Sequence, residues 1–520
     1  MKKIIVLGGG SAGWLTSLLT REFYPDFDIT LVESEEIGIL GAGEGTVPHF
    51  IEILDFLRIP VSSLVSECSA TMKIGIKFTN WNGDNTSYFH DFVANDELEE
   101  WVFDDRFRYN MLTSWMIGQG QDLDSINFYA GISRQWKVPF VLNDLNDHQL
   151  ANYRDPIQAV QHLGNFALHF DARLLANFFS RLAQANRGIR RVEGKLGKVA
   201  SDEAGNITGI HLENGKYVEC DFIFDCSGFA RLLLGRHFKQ PWKSYKQSLP
   251  LDTALPFFIP HDGSNIPPYT EAIAMKYGWM WKIPVSNRYG CGYVFDSSYI
   301  NEAEAKAEVE AMLGHEITSP KTFRFEAGAF ENTLVNNCYG VGLSQHFVEP
   351  LEATSIWSFS KNLINFLKSG AIMNLTPETT RHFNERCRMV IEPIPEFLYL
   401  HYLGERNDSP FWQEFKTRTH MMDSLQLKKE LWDRIPLFDA DTIFLQMFNA
   451  PSWISVGDGV RFFNRQTFRN LSSKWQHLQL EDKKAFRDVL SGKTKVEKAV
   501  IDAANTGEAT ELLTEIRQAS

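Results

Sequence analysis

The chain has 520 residues, of which 44% are hydrophobic and 13% aromatic, and this composition supports a large buried core in a globular protein of two or three domains. Its 52 basic residues against 65 acidic ones give a net charge of −13. We therefore do not expect a nucleic acid as a partner, because no run of lysine and arginine offers a surface for phosphates.

The six cysteines are far apart in the sequence, in none of the paired spacings typical of zinc sites or disulfide frameworks. They predict reduced thiols, a cytoplasmic location and no metal site. The first residues predict a strand that runs directly into a glycine turn, which is not the pattern of a signal peptide. The sequence has no run of about eighteen apolar residues, so a membrane span is not expected.

The N-terminal segment has the pattern of a βαβ unit. An apolar strand at residues 4–7 is followed by the turn GGGSAG, a helix and a second strand, DITLVE, that ends at Glu33. Gly8, Gly10 and Gly13 match the GxGxxG fingerprint, in which glycines form a tight turn and let the backbone approach a pyrophosphate. Glu33 stands where this motif places the carboxylate that binds ribose hydroxyls. We expect a dinucleotide at this turn.

Two segments in the middle of the chain predict further elements. The apolar spacing at residues 167–184 indicates an amphipathic helix. Residues 209–229 indicate a β-hairpin that turns at Asn214-Gly215 and continues into a buried strand ending at Asp225. Such a strand is common in FAD proteins of the glutathione-reductase and aromatic-hydroxylase type, so FAD is favoured over NAD. An ordinary core strand is the alternative.

The predicted fold class is α/β. We expect a doubly wound FAD-binding module of this type with an added β-sheet and a mostly helical C-terminal part. A shift in composition near residue 390, after which Trp and Phe recur at helical spacing, divides the chain. Residues 1–390 would hold the cofactor and substrate elements, and residues 391–520 would form a helical cap.

The stretch EPLEATSIW at residues 349–357 places Glu349 and Glu352 just before a predicted amphipathic helix. The first free amides of that helix, at Thr354 and Ser355, would attract an anion, because helix N-termini carry unsatisfied N–H groups and the positive end of the helix dipole. Capping of the helix by the Glu and Thr side chains is the alternative.

Four stretches together resemble the flavin-dependent tryptophan halogenase family. They are GGGSAGW at 8–14, GAGEGTVP at 41–48, GWMWKIP at 278–284 and LSQHFVEPLEATSI at 343–356. The pattern Trp279-x-Trp281-x-Ile283-Pro284 is the most specific of them. Two tryptophans at this spacing would otherwise predict only one face of a half-buried strand.

The resemblance implies a reaction and its cofactors. Family members take reduced FAD from a separate flavin reductase, use O2 to oxidise a halide to hypohalous acid, and pass this oxidant through a tunnel to an aromatic substrate. Trp279 and Trp281 would separate flavin from substrate. The residues that would bind the flavin are Gly8, Gly10, Ala12, Gly13, Glu33, Gly45, Asp225, Leu343 and Ile356.

The resemblance also implies the catalytic residues. In SATMKIGIKFTNW, Lys73 matches the family lysine, and Lys77 lies nearby without that role. Lys73 would hold hypohalous acid by a hydrogen bond or form a haloamine with it, and either role needs a buried ammonium group. Glu352 would stabilise the arenium cation and take its proton. The amides of Thr354 and Ser355 would bind the halide.

The substrate site departs from the family pattern. His90 and Phe92 match positions that sandwich an indole, but the segment that holds the amino-acid part of tryptophan has no clear counterpart beyond residues 452–459. Ala353 and Ser355 replace the usual Ser and Gly after EPLE, which makes bromide at least as favoured as chloride. We expect a roomier site for an indole or another electron-rich aromatic.

Two other functions are compatible with parts of this sequence. An FAD-dependent aromatic monooxygenase shares the fingerprints but needs neither Lys73 nor the two tryptophans. A flavin-binding protein without catalysis would need neither Lys73 nor Glu352. A product assay with halide separates the three functions.

Overall fold

The structure is a computed structural model, and it describes residues 2–38, 43–92, 114–125, 128–138, 166–261, 263, 265–319, 321–435, 447–474 and 504–505. Positions 41–42 of the glycine-rich loop and most of the tail after residue 474 lie outside these residues.

The strands of the described residues are β1 Lys3–Leu7, β2 Asp28–Glu33, β3 Glu44–Gly45, β4 Thr71–Lys73, β5 Gly75–Thr79, β6 Ser87–Asp91, β7 Lys137–Val138, β8 Ala167–Phe170, β9 Arg190–Glu193, β10 Leu196–Ser201, β11 Ile207–Leu212, β12 Tyr217–Glu219, β13 Phe222–Asp225, β14 Trp242–Ser244, β15 Thr253–Pro260, β16 Thr270–Met275, β17 Gly278–Val285, β18 Arg288–Phe295, β19 Phe323–Arg324, β20 Gly328–Phe330, β21 Leu334–Val335, β22 Cys338–Gly340, β23 His346–Phe347 and β24 Ala504–Asn505.

The helices are α1 Ser11–Phe23, α2 His49–Phe56, α3 Val61–Glu67, α4 Phe128–Arg134, α5 Ala172–Asn186, α6 Glu302–Leu313, α7 Thr354–Lys368, α8 Pro377–Ile391, α9 Pro393–His401, α10 Pro410–Arg418, α11 Asp423–Trp432, α12 Ala450–Gly459 and α13 Arg465–Lys474. Short 3₁₀ turns at Gly342–Ser344 and Pro350–Glu352 precede α7.

The first sheet is built on the βαβ unit and has the strand order β21-β22-β13-β1-β2-β9, in which β1 pairs in parallel with both β2 and β13. Successive side chains of β1 point to opposite faces. Ile4 and Val6 pack in one core with α1 and α5. Ile5 and Leu7 pack against the small sheet β10-β11-β12 on the other face. This layering confirms the predicted α/β fold class.

The predicted hairpin and buried strand are confirmed. β11 and β12 pair antiparallel with Ile210 opposite Val218, and Gly215 in the turn has a φ of +85°. β13 follows as a fully buried strand that ends at Asp225, beside β1.

The helix predicted at residues 167–184 is wrong over its first residues. Ala167–Phe170 form strand β8 between β3 and β4, and the helix begins only at Ala172. The boundary is set by Asp171, whose carboxylate accepts the backbone N–H groups of Arg173 and Leu174 at 2.9 and 3.0 Å. An N-cap of this kind starts a helix regardless of the apolar residues before it.

The second large sheet has the order β19-β15-β18-β17-β16-β5-β6 and lies against the C-terminal helices. One apolar cluster contains residues from Ile76 on β5 to Phe468 on α13. The described residues between 391 and 474 are mostly helical, as predicted, whereas Ala504–Asn505 pair with β7 as a short strand. The division predicted near residue 390 stays a prediction, since this core includes residues on both sides of it.

Three general features concern the described part of the chain. The six cysteines all lie within it, buried and free of disulfide bonds. No helix in this part is long and apolar enough to cross a membrane. No group of His, Cys, Asp and Glu side chains among these residues is arranged to hold a metal ion.

Candidate active site

The turn after β1 has a backbone that only glycine can adopt. Gly8 has a φ of +123°, and a Cβ atom there would lie 2.1 Å from the carbonyl oxygen of Cys226. A Cβ at Gly13 would lie 1.9 Å from the carbonyl oxygen of Gly8. Among the described residues no side chain caps α1 at Gly10, so the first amides of the helix can bind a phosphate.

Glu33 lies against this turn. A Cβ at Gly9 would collide with its Oε2 atom at 1.4 Å, so the carboxylate sits directly over the glycines. The other oxygen, Oε1, accepts a hydrogen bond from Arg191 at 2.5 Å. Arg191 thereby fixes the carboxylate beside the turn, and the binding of a ribose by Glu33 stays a prediction.

Small and apolar residues continue the cleft beyond the turn. A Cβ at Gly342, whose φ is +65°, would lie 3.2 Å from that of Ala12. Leu343 follows in the same turn and is half-buried. Ile356 on α7 is 8% exposed and packs in the core that α1 shares. The glycine turn, Glu33 and this apolar continuation fit a flavin dinucleotide.

The Asp225 carboxylate accepts hydrogen bonds from the loop that follows β13. Oδ1 accepts hydrogen bonds from the hydroxyl and backbone N–H of Ser227, and Oδ2 accepts the backbone N–H groups of Leu233 and Leu234, both at 2.9 Å. Burial raises the pKa of this carboxyl, and the hydrogen bonds oppose the rise. Its direct contact with the cofactor stays a prediction, because both oxygens already hold the loop that follows β13.

Trp279 and Trp281 stand side by side on the same face of β17. Both are buried, their ring centroids are 6.2 Å apart, and the rings are inclined at 59°. Trp281 lies flat over β18, where a Cβ at Gly292 would come within 2.1 Å of its ring. Trp279 donates its indole N–H to Glu349 Oε2 at 2.7 Å. The pair is therefore rigid and anchored to the segment that carries both predicted carboxylates.

Lys73 ends strand β4 and is 0% exposed. Its Nζ atom donates to the carbonyl oxygen of Thr46 at 2.8 Å and lies 5.3 Å from the centre of the Phe92 ring. Gly45 lies next to it, since a Cβ there would be 3.4 Å from Nζ, and its predicted contact with the cofactor stays a prediction. Burial lowers the pKa of this ammonium to about 7, although the nearby Glu352 carboxylate acts to raise it.

Glu352 is 3% exposed and lies between two histidines. The Nδ1 atom of His90 is 2.9 Å from both carboxylate oxygens, and the Nε2 atom of His401 is 2.8 Å from Oε1. Burial acts to raise the pKa of Glu352, but the charge of His90 and the hydrogen bonds from both histidines outweigh burial and lower the pKa to about 2. The carboxylate is held ionised in the core.

Helix α7 begins as predicted just after Glu352. Ala353 precedes it in the left-handed conformation, with a φ of +54°, and no described side chain caps the helix. The alternative, capping by the Glu and Thr side chains, is therefore not found among the described residues. The first amides, at Thr354 and Ser355, keep the free N–H groups that an anion needs.

Comparison with known proteins gives the family. The model of the family described as "Tryptophan halogenase" matches residues 3–474. The chain belongs to the tryptophan halogenase family. It is 32% identical over 455 residues to tryptophan 7-halogenase RebH of Lentzea aerocolonigenes, covering 83% of this chain and 81% of that protein. It is also 32% identical over 469 residues to tryptophan 6-halogenase SttH of Streptomyces toxytricini, covering 87% of each protein.

Solved structures agree with this assignment. The structure of SttH superposes with a TM-score of 0.85 at 27% identity, over 98% of this chain and all of SttH. The structure of Xcc4156, a flavin-dependent halogenase from Xanthomonas campestris, superposes with a TM-score of 0.84 at 26% identity over 98% of each chain. As a member of this family the protein is an enzyme of the oxidoreductase type, and the family implies a flavin as its cofactor.

Several residues predicted for this halogenase site lie together. Lys73 on β4, the segment of β6 with His90 and the following Phe92, and Glu352 before α7 meet through the contacts above. Residues 452–459 fall on α12, where Ser455 donates to the carbonyl oxygen of Phe89 beside His90. Their roles toward substrate stay predictions.

The sequence reasoning missed two residues at the end of α9. His401 contacts Glu352, and the Tyr402 hydroxyl donates to Glu349 Oε2. Neighbouring residues thus hold the two carboxylates of the EPLE segment. A single histidine and tyrosine in an apolar helical stretch give no signal of this.

Proposed function

We propose that this protein is an FADH2-dependent halogenase that uses O2 and bromide or chloride to form hypohalous acid and halogenates an indole or another electron-rich aromatic. The observation that carries the proposal is the fully buried Lys73 ammonium close to the buried Glu352 carboxylate. Buried opposite charges are costly to keep in a core, and such pairs cluster at sites of chemistry.

The chain would hold reduced FAD on the turn Gly8–Gly13 with Glu33 on its ribose, and the flavin would supply the electrons that let O2 oxidise the halide. The free amides at the start of α7 would bind the halide. Ser355 adds a side chain where the family pattern has glycine, which changes the size of the halide site. Bromide, which is easier to oxidise than chloride, would therefore be at least as favoured. A separate flavin reductase would supply FADH2.

Lys73 would bind the oxidant. Its Nζ atom donates to the Thr46 carbonyl oxygen, which leaves further N–H groups for the oxygen of hypohalous acid. With a pKa of about 7, the amine is also partly neutral at physiological pH and could take the halogen as a haloamine, with release of water. In either form the halogen reaches an aromatic carbon as an electrophile, and the oxygen of hypohalous acid leaves as water.

Glu352 would complete the substitution. When the carbon–halogen bond forms, the ring becomes an arenium cation, and aromaticity returns when the proton on the same carbon leaves. An ionised carboxylate in a dry site stabilises that cation and accepts the proton. The pKa of about 2 keeps Glu352 ionised throughout the neutral range.

Trp279 and Trp281 would keep the aromatic substrate away from the flavin. Trp279 is fixed by Glu349, which belongs to the same short segment as the base Glu352. The distance between the tryptophan wall and the base Glu352 would therefore be fixed by this segment. Oxygen transfer directly to carbon, as in a monooxygenase, would be blocked by this wall.

The test is a product assay. Purified protein is supplied with FAD, a flavin reductase, NADH and O2, indole or tryptophan is offered with chloride or bromide, and product mass is followed. We expect a halogenated product that falls by about 10²–10⁴-fold in Lys73→Ala. Lys77→Ala is the matched control, because Lys77 lies nearby but pairs with Glu271 at 3.2 Å, and it should retain activity.

The outcomes of this assay separate the functions. Hydroxylated product without halide would favour an aromatic monooxygenase. Reduced flavin consumed only to peroxide with both aromatics and both halides would contradict the proposed substrate class. An equal loss in Lys73→Ala and Lys77→Ala would contradict the role given to Lys73.

A further inference from the structure

The protonation of His401 can be deduced from its contacts. The ring is 0% exposed, so no solvent completes its hydrogen bonds. Nδ1 is 3.0 Å from the carbonyl oxygen of Phe397, and Nε2 is 2.8 Å from Glu352 Oε1. Both partners are acceptors, whereas a neutral imidazole has only one N–H. A proton must therefore lie in each contact.

The proton toward Phe397 belongs to His401, because a carbonyl oxygen cannot carry it. The proton toward Glu352 belongs either to the ring, which is then a cation beside a carboxylate, or to the carboxyl group, which could not then accept a proton from substrate. The surroundings favour the cation. The His401 ring centre lies 4.7 Å from that of Phe78, 5.9 Å from that of Trp81 and 5.3 Å from that of Phe397, and aromatic rings stabilise a buried cation.

Other ionisable groups also face this pair. On β6, His90 contacts both oxygens of Glu352, and the Tyr88 hydroxyl lies within its electrostatic reach. Lys73 approaches from β4. Since a cationic His401 alone balances the carboxylate and His90 also contacts it, Lys73 does not have to remain charged as its counter-ion. Lys73 is then free to act on the oxidant.

We propose that His401 carries a positive charge against Glu352 and so keeps this carboxylate ionised as the base of the reaction. The inference rests on the proposed function for its chemical meaning, although the charge of His401 does not. His401 is fully buried and acts through its contact with Glu352. It is a positioning residue.

The first experiment measures the charge directly. ¹⁵N spectra of the histidine rings are recorded on perdeuterated full-length protein at pH 7.5, and the His401 signals are identified by their loss in His401→Asn. We expect both ring nitrogens of His401 to show the shifts and attached protons of an imidazolium. A single protonated nitrogen, with the other at the shift of an imine nitrogen, would overturn the proposal.

The second experiment measures the consequence. His401→Gln places an amide N–H near the position of Nε2, toward Glu352, but cannot carry charge, so the pKa of the carboxyl group should rise. Burial already acts to raise this pKa, and the opposing histidines hold it at about 2 in the wild type. We expect the kcat of His401→Gln to fall between pH 5 and 7, where the wild-type Glu352 stays ionised. Equal pH profiles of the two proteins in this range would overturn the proposal, since a merely structural histidine would lower kcat at every pH alike.

A control on the same helix excludes a general effect of repacking α9. Tyr399→Phe removes the hydrogen bond between Tyr399 and Thr419, which measures 2.9 Å, and keeps the charge next to Glu352. Its pH profile should match that of the wild type. If the wild-type protein gives no halogenated product, the proposed function fails, while the nitrogen spectra still decide the charge of His401.

Discussion

The two ends of the active site are built by different means. At the flavin end, the turn from Gly8 to Gly13 offers backbone amides and has glycines where a side chain would collide with the backbone. The carboxylate next to this turn, Glu33, lies on the following strand. At the lysine end, Lys73, Glu352 and His401 are buried ionisable side chains brought together from distant segments. The first end needs local geometry, and the second needs the whole tertiary fold.

The two ends also differ in the free-energy cost of forming them. A glycine turn costs conformational entropy but no desolvation. The lysine end takes charges out of water, as the lowered pKa of Lys73 and the raised pKa of Glu349, both about 7, indicate. Buried pairs of this kind rarely add to stability. We infer that they are retained for chemistry, so changes there should affect rate more than folding.

The largest expected effect lies at Glu352, the proposed base. Glu352→Gln keeps the shape of the side chain and an acceptor for His401, but the amide cannot take a proton. We expect kcat to fall by about 10²–10⁴-fold, with FAD affinity unchanged, as measured by product formation and flavin titration. Glu349→Gln is the matched control in the same segment. An equal loss of kcat in that variant would show that the segment, and not the base, limits the reaction.

At the flavin end, a substitution should affect both the stability of the fold and the binding of the cofactor. Gly8→Ala forces a Cβ against the Cys226 carbonyl oxygen at a positive φ, and we expect a loss of about 1–3 kcal/mol in the free energy of unfolding together with weaker FAD binding. Gly10→Ala separates the two effects, because no heavy atom lies within 4 Å of a Cβ there. It should weaken FAD binding at unchanged stability. Equal stability losses in both variants would contradict this geometry.

The contrast explains what the sequence alone could predict. The βαβ unit, the hairpin at Asn214-Gly215 and α7 follow from local patterns and are confirmed by the structure. The predicted start of the helix at residue 167 is wrong, because Asp171 caps the helix and the residues before it pair as a strand with β4.

The site was predictable only in part. Lys73 and Glu352 could be proposed because a family resemblance marks them, and the structure brings them close. His401 and Tyr402 could not, since their contacts with the EPLE segment depend on how α9 packs against the second sheet. Nothing in an apolar helical sequence specifies which buried carboxylate a histidine will meet.

The buried amine predicts a dependence of stability on pH. The pKa of Lys73 is lowered from its ordinary value of 10.5 to about 7 in the folded protein. Between these values the unfolded chain binds a proton that the folded chain does not, so stability at this residue rises with pH, by about 1.4 kcal/mol per pH unit. Comparing wild type with Lys73→Met by denaturant unfolding at pH 7 and 9 isolates this effect. A difference that does not change with pH would contradict a largely neutral lysine.

The smallest effect is expected at the wall that Trp279 and Trp281 are proposed to form. Tyr402→Phe removes one of the hydrogen bonds that Glu349 Oε2 accepts, while the bond from Trp279 remains. We expect a loss of about 1 kcal/mol in unfolding free energy, with little change in the halogenated product formed per reduced flavin. Trp279→Phe removes the other of these bonds and changes a residue of the proposed wall itself, so it should lower that yield more than Tyr402→Phe does. If the tyrosine variant lowered the yield more, the wall would be positioned from α9 and not by its own strand.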